Sequence, residues 1–392
     1  MFNKLNKKLL ITITGLMFSN LAYASELTVE ELRIESAAVK MPEVLNAFTS
    51  NIDAFKQAWQ GAGSYQEAKN ITILHSQKLW LDAKNKLQSS ALLDDRPLYW
   101  ARLLASKTIR SVKPAFALSE LQTQALLTML EEGSRGKMDL EYTQKTDKKI
   151  LLTGFDPFLL DRNINQSNPS GIAALKLDGQ VITYNGITAE INTVMIPVRY
   201  KDFDDGMIES LLAPYYALNN VDMVVTVSMG RTEFDLERFP GKRRSVTAPD
   251  NVNVLSGGTK QTPIISKLHN APLPGDEFVL FSLPIKQMQL AKGPYKVIDN
   301  HKVTSIVGSQ KPKDIEPHTL SQLNGHIAVS GSGGGYLSNE ISYRSIRLRD
   351  QLHSTIPTGH IHTPRIQQFE PEIEQKIVKQ IRTMLELALE AI

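Results

Sequence analysis

The chain predicts an α/β fold, a mixed and mainly parallel sheet flanked by helices, preceded by an all-α N-terminal domain. Three observations carry this. Between about residues 26 and 133 apolar residues recur at helical spacing; from residue 150 the pattern changes to short apolar runs bounded by turn residues; and helical stretches lie between several of those runs. At 392 residues, 42% hydrophobic and 22% charged, the chain is long enough to bury a large core and to divide into two domains.

In the first region, Val44, Leu45 and Phe48 followed by Ile52, Phe55 and Trp59 mark one helical stripe, and Leu98, Trp100, Leu103, Leu104 and Ile109 mark another. Asp94, Asp95 and Pro97 supply a start for the second stripe, and Ser119 with Gln122 does the same for the next helix. Trp59, Trp80 and Trp100 all lie here and are expected to form the core of a helical domain over residues 25–133. Residues 134–148 are polar and charged, as a linker would be. The α/β domain then runs over 149–392. Its expected strands are 150–153, 191–196, 223–228, 277–283 and 326–330, its helices 203–218 and 337–352, and a last helix, 374–389, presents Ile377, Ile381, Met384, Leu385 and Ala388 to the sheet.

The first 24 residues read as a secretory signal peptide. Lys4, Lys7 and Lys8 precede a short apolar run, and Ala22-Tyr23-Ala24 is a small-x-small cleavage site. Thr12, Thr14, Gly15, Ser19 and Asn20 interrupt the run, so it falls short of the roughly 20 apolar residues of a membrane span. Cleavage removes three lysines and no acid, so the 44 basic residues become 41 against 41 acidic ones. A near-neutral product has no electrostatic case for nucleic acid. Ser25 stands where a lipid-anchored form would carry cysteine, and the chain has no cysteine at all, which suits an oxidising compartment. The expectation is a periplasmic or secreted protein without a membrane anchor.

Three separated segments offer a hydroxyl, an imidazole and a carboxylate. Residues 326–339 read as a buried strand, a glycine-rich turn and the start of a helix, which places Ser338 in a first helical turn with free backbone N–H groups nearby. Such a position favours a developing oxyanion, and it also suits a plain capping serine. Ser332 is a rival nucleophile, because Ser330-Gly331-Ser332-Gly333-Gly334 is one residue from a nucleophile elbow. Gly331 and Gly333 lack the third glycine of a dinucleotide loop. Among eight histidines, His360 and His362 sit at strand spacing on one face, as candidate base or as two zinc ligands without a third. Glu237 follows a buried strand and a glycine turn, where a carboxylate could orient an imidazole. Beside it, Gly241-Lys242-Arg243-Arg244 reads as a solvated basic turn.

Taken together, Thr153-Gly154-Phe155-Asp156-Pro157-Phe158 with Asn168-Pro169-Ser170, then Glu237 followed by Pro249-Asp250-Asn251, then Ser338-Asn339-Glu340 followed by Gly359-His360-Ile361-His362-Thr363-Pro364, resemble the pyroglutamyl peptidase I family. The resemblance covers residues 149 to the C-terminus. It implies that Ser338 occupies the place of the family's cysteine nucleophile, that His362, 24 residues later, is the base, and that Glu237 is the third member. It implies a substrate pocket from Phe155, Phe158, Asn168, Tyr336 and Leu337. Three positions depart from the family's pattern: serine for cysteine, Thr247 for an arginine, and Glu340 for a histidine. An alkoxide is not stable near neutral pH, so Ser338 would need His362 to take its proton during attack.

The reading that follows is an exported hydrolase of pyroglutamyl peptidase type acting on a peptide or small amide. It needs no cofactor and no metal, and self-association is compatible with it. The alternatives are a catalytically inactive homologue that binds N-terminal or cyclic peptide groups, and a zinc protein using His360 and His362.

Overall fold

A computed structural model describes residues 26–392. The expected signal peptide lies outside these residues. No helix among the described residues is long and apolar enough to cross a membrane.

The α/β half is built on seven strands: β1 (Lys148–Phe155), β2 (Gln180–Tyr184), β3 (Ile187–Ile196), β4 (Met223–Arg231), β5 (Phe234–Glu237), β6 (Val297–Asn300) and β7 (Thr358–Pro364). Their order is β6-β5-β7-β4-β1-β3-β2. β3, β1, β4 and β7 run parallel, as do β5 and β6, whereas β2 pairs antiparallel with β3 and β7 with β5. The central strands are buried on both faces, which explains their unbroken apolar runs in the sequence. The sheet is therefore mixed and mainly parallel, with helices on both faces. Helix Pro371–Ala388 lays Ile377, Ile381, Met384, Leu385 and Ala388 into the core, as its spacing predicts.

Two expected strands come out differently. Residues 277–283 are buried at Phe278, Val279, Phe281 and Leu283 but form only one bridge, Gly241 with Phe278, together with backbone bonds from Lys242 N–H to Glu277 O, Val279 N–H to Pro240 O, Phe281 N–H to Arg238 O and Ser282 N–H to Thr358 O. These bonds tie the segment antiparallel to residues 238–242 and, through Ser282, to the start of β7, but it is not a strand of the seven-stranded sheet. Strand Ile327–Ser330 does form, yet it belongs to a separate three-stranded antiparallel sheet with Val303–Ile306 and Lys313–Ile315. The expected helix at 203–218 is two helices, Tyr200–Asp204 and Met207–Leu218, broken at Gly206, whose φ is +81°.

The helices before β1 include Thr49–Gly61, Tyr65–Ser89, Arg96–Ser111 and Glu120–Ser134. Ser119 and Gln122 form the reciprocal cap the sequence suggests. The tryptophans are all buried, but they do not share one core. Trp59 packs among helices, Trp80 joins the large cluster that contains β1 and β4 residues, and Trp100 packs with Leu160 and Ile164 of the loop after β1. The polar stretch after residue 133 is packed as well: Ser134 and Arg135 are buried, Arg135 O accepts from Met195 N–H at 2.9 Å, and a Cβ on Gly136 would lie 2.5 Å from the Trp80 ring.

Candidate active site

The sheet order sets one half of the site. β7 lies between β4 and β5, so His360 and His362 project from the same face as Thr226, Ser228, Asp235 and Glu237. Glu237 is fully buried, and its Oε1 bonds His362 Nδ1. Burial pushes the Glu237 carboxyl up, and the facing His362 imidazole, with His360 and Arg231, together more than reverse this, leaving it below its ordinary value. A carboxylate on Nδ1 fixes the tautomer that leaves Nε2 free to accept a proton. That Nε2 lies against exposed Gly230: a Cβ there would come within 2.8 Å of it. Arg231 flanks the pair, with Nη2 3.9 Å from Glu237 Oε1 and donating to Ser332 O at 2.6 Å.

The glycine-rich turn sets the other half. Ser338 is the second residue of helix Leu337–Gln351, and the opening N–H groups of that helix have no carbonyl within it to bond. Ser338 is 9% exposed, and its Oγ donates to Gly333 O at 3.2 Å. Glu237 Oε2, which has no hydrogen-bond partner, is aimed at the same glycine, where a Cβ would sit 2.0 Å from it. Gly333 is thus the contact at which the serine loop meets the Glu237–His362 pair, and no side chain fits there. Asn339 clasps Gly241, accepting its N–H at 2.9 Å and donating to its carbonyl at 2.6 Å, which fixes the helix start on the segment after β5.

Other predicted residues take other places. Ser332 accepts from Phe239 N–H at 2.9 Å and is 1% exposed, so its hydroxyl is part of the backbone scaffold. His360 is sealed between Thr226 Oγ1 and Ser228 Oγ, each at 2.7 Å, and burial brings its pKa down to about 3. Glu237, His360 and His362 offer ligand atoms within 4.8 Å of one another, but both His360 nitrogens are already engaged. Arg243 pairs with Glu277, and Arg244 is buried against Glu340 and Asp204, so this basic cluster is an ion-paired support and not a solvated turn. Glu340 accepts from Arg244 at 2.6 and 2.8 Å and from Arg344, which accounts for an acid after Asn339.

Among the pocket residues, Phe158 lines a cleft with Met229 and Ile366. Phe155 is 3% exposed and stacks on Phe203 with centroids 6.3 Å apart, and Leu337 is buried in the same cluster. Asn168 is fully buried as the cap of helix Pro169–Leu177, accepting from Ser170 N–H at 3.1 Å and donating to Asp156 O at 2.9 Å. These three shape the site from behind and do not face an open pocket. Tyr336 donates to Pro249 O at 2.9 Å and packs edge-on against Tyr200.

Sequence reasoning missed the supports supplied by the helical half. Asp156, within the motif after β1, is fully buried between Arg102 (3.0 and 3.1 Å) and Arg135 (2.6 Å). Arg33 pairs with Asp161 and donates to Asn251 O at 2.5 Å. The helical half therefore holds both loops that border the site.

Fold and site together define an α/β protein of hydrolase-like fold, with a buried carboxylate–imidazole pair beside a helix-start serine. The chain belongs to the family of PA0049: the N-terminal domain of that family matches residues 17–131, and its C-terminal domain matches 149–281 and 295–367. Uncharacterized protein PA0049 of Pseudomonas aeruginosa is 26% identical, over 77% of this chain and 70% of that protein. Pyrrolidone-carboxylate peptidase of Staphylococcus aureus is 26% identical, over 62% of this chain and 92% of that enzyme, a distant homology to a peptidase-type hydrolase. A mutant pyrrolidone carboxyl peptidase from Pyrococcus furiosus aligns over 62% of this chain and 99% of its own at 21% identity, with a TM-score of 0.39.

Proposed function

We propose that the protein is an exported hydrolase of pyroglutamyl peptidase type, removing an N-terminal pyroglutamyl or related cyclic amide group from a peptide or small amide. The observation that carries this reading is the buried Glu237–His362 pair with Nε2 left free, and Ser338 across Gly333 from it. His362 Nε2 takes the Ser338 hydroxyl proton as Oγ bonds the amide carbonyl carbon. The oxyanion is held by N–H groups of the first helical turn. The C–N bond then breaks, with His362 protonating the leaving amine, and water activated by His362 releases the acyl group and restores the serine. Glu237 orients His362 and stabilises its charged form. Export rests on the leader at residues 1–24.

One observation favours a second reading, a binding-only homologue: Ser338 Oγ donates to Gly333 O and not to His362. Productive attack then requires a rotation of Ser338 about χ1. Reaction of the mature protein with a fluorophosphonate probe separates the two. The expected result is a label on Ser338, located by mass spectrometry and lost in His362→Ala. An unlabelled, folded protein sends the weight to binding.

A further inference from the structure

The cleft beside the site carries an unused charge. It occupies roughly 850 Å³ outside the carboxyl ends of β1, β4 and β7, where ligands of open α/β sheets bind. Phe158, Met229 and Ile366 give it apolar walls, and Arg162 and Arg365 stand on its rim. Among the described residues every other arginine forms an ion pair with a carboxylate, from the half-exposed Arg382 to the buried Arg102 and Arg344. Arg162 and Arg365 form none, although they come from loops 203 residues apart in the chain and meet at one cleft. The cleft's own acid, Glu370, accepts the Gln367 N–H at 2.9 Å.

The position of this charge relative to His362 gives it a role. The group that protonates a leaving amine must lie next to it, so a leaving peptide departs past His362 Nε2. That nitrogen faces exposed Gly230, and Met229, a wall of the cleft, pairs with Thr363 next to His362, so the cleft adjoins the site over the strand ends from the opposite face of the sheet. The residue three places after His362 is Arg365 itself. We propose that Arg162 and Arg365 form an anionic subsite for the leaving side of the substrate, and that the protein prefers peptides bearing carboxylates just beyond the scissile amide. This rests on the reading of Ser338 and His362 given above. Guanidinium suits this task because its planar donors pair with carboxylate in two-point geometry and remain charged at any working pH.

Binding by the folded, turnover-blocked Ser338→Ala chain tests the subsite without requiring hydrolysis. Fluorescence anisotropy is measured with three labelled peptides of equal length that begin with pyroglutamate and continue with two glutamates, two glutamines or two lysines. The glutamate peptide is expected to bind about tenfold more tightly than the glutamine peptide, as two partly exposed ion pairs supply, and the difference shrinks at high salt. Adding Arg162→Gln and Arg365→Gln removes the preference, while Lys at both positions keeps part of it. Equal affinities for the three peptides, or a preference that survives the double Gln change, overturns the subsite. A preference that depends on these arginines in a protein that no fluorophosphonate labels leaves the subsite standing and sinks only the hydrolase reading.

Discussion

His360 and His362 stand on one strand and one face with only Ile361 between them, yet the two ends of this short segment are different chemical regions. At the inner end, His360 has both nitrogens bonded to hydroxyls, no exposure, and a pKa lowered to about 3 by burial. At the outer end, His362 has one nitrogen on a buried carboxylate and the other against a glycine that leaves it room. A two-residue advance along a parallel strand moves a side chain about 6.6 Å toward the carboxyl edge. That step is the distance from core to site. An imidazole becomes a candidate base when one nitrogen is fixed and the other is left over, and only His362 meets both conditions.

The sharpest way to break the comparison is to delete each imidazole in turn. His362→Ala is expected to lower kcat/KM on a pyroglutamyl amide by at least about 10³-fold with the fold intact. His360→Ala should instead cost stability, about 3 kcal/mol, by opening a cavity and orphaning the Thr226 and Ser228 hydroxyls. Urea unfolding beside initial rates measures both. Loss of turnover in a folded His360 variant with activity kept in the His362 variant would reverse the roles. The pH dependence carries a sign: below about 6.5 the unfolded chain protonates His360 while the native state, with a pKa of about 3, does not. Stability is therefore lost as pH falls from about 6.5 toward 3, by up to about 1.4 kcal/mol per unit. In His360→Gln that contribution disappears, so its melting temperature should fall less over this range than that of the unmodified protein.

A smaller perturbation sharpens the outer end alone. Gly230→Ala places a methyl 2.8 Å from His362 Nε2 at an exposed position near the end of β4. A ring displaced by a fraction of an ångström predicts a fall in kcat of about 10- to 100-fold, with a melting temperature within a few degrees of the parent. Full activity would mean that Nε2 is not the atom that moves the proton.

Much of this site was legible in the sequence because its parts are local. Ser338 at a helix start and His362 on a strand each follow from the pattern of a few neighbours, whereas their choice over Ser332 and His360 rests on the resemblance across residues 149 to the C-terminus, and Glu237, expected in a loop, closes strand β5. What was not legible depends on contacts between distant residues. The side on which Phe155 falls is decided by Phe203, and the inward turn of Asn168 by the Asp156 carbonyl to which it donates. The Asp156 carboxylate is placed by Arg102 and Arg135, which come from the helical half, and a single sequence gives no sign that these charges meet. The same limit explains strand Ile327–Ser330, whose length and apolarity fit a parallel sheet while its partners are antiparallel. Periodicity states that a segment is buried and leaves open what buries it.

The smallest effect separates two serines of the same glycine-rich turn, as the histidines are separated on their strand. Ser332 is bound into the scaffold through Phe239 N–H, and Ser338 holds a single weak bond to Gly333 O at 3.2 Å, which a rotation can release. Ser332→Ala is expected to cost about 1 kcal/mol of stability through the lost acceptor, and to change the rate constant per folded molecule by less than about threefold. Ser338→Ala leaves stability nearly unchanged, because it removes only that weak bond, and abolishes turnover. Measured together by denaturant midpoint and active-site titration, the two variants should show opposite patterns. A Ser332 variant that is stable and inactive would move the nucleophile to the elbow-like position and require Ser338 to be read as a helix-start serine alone.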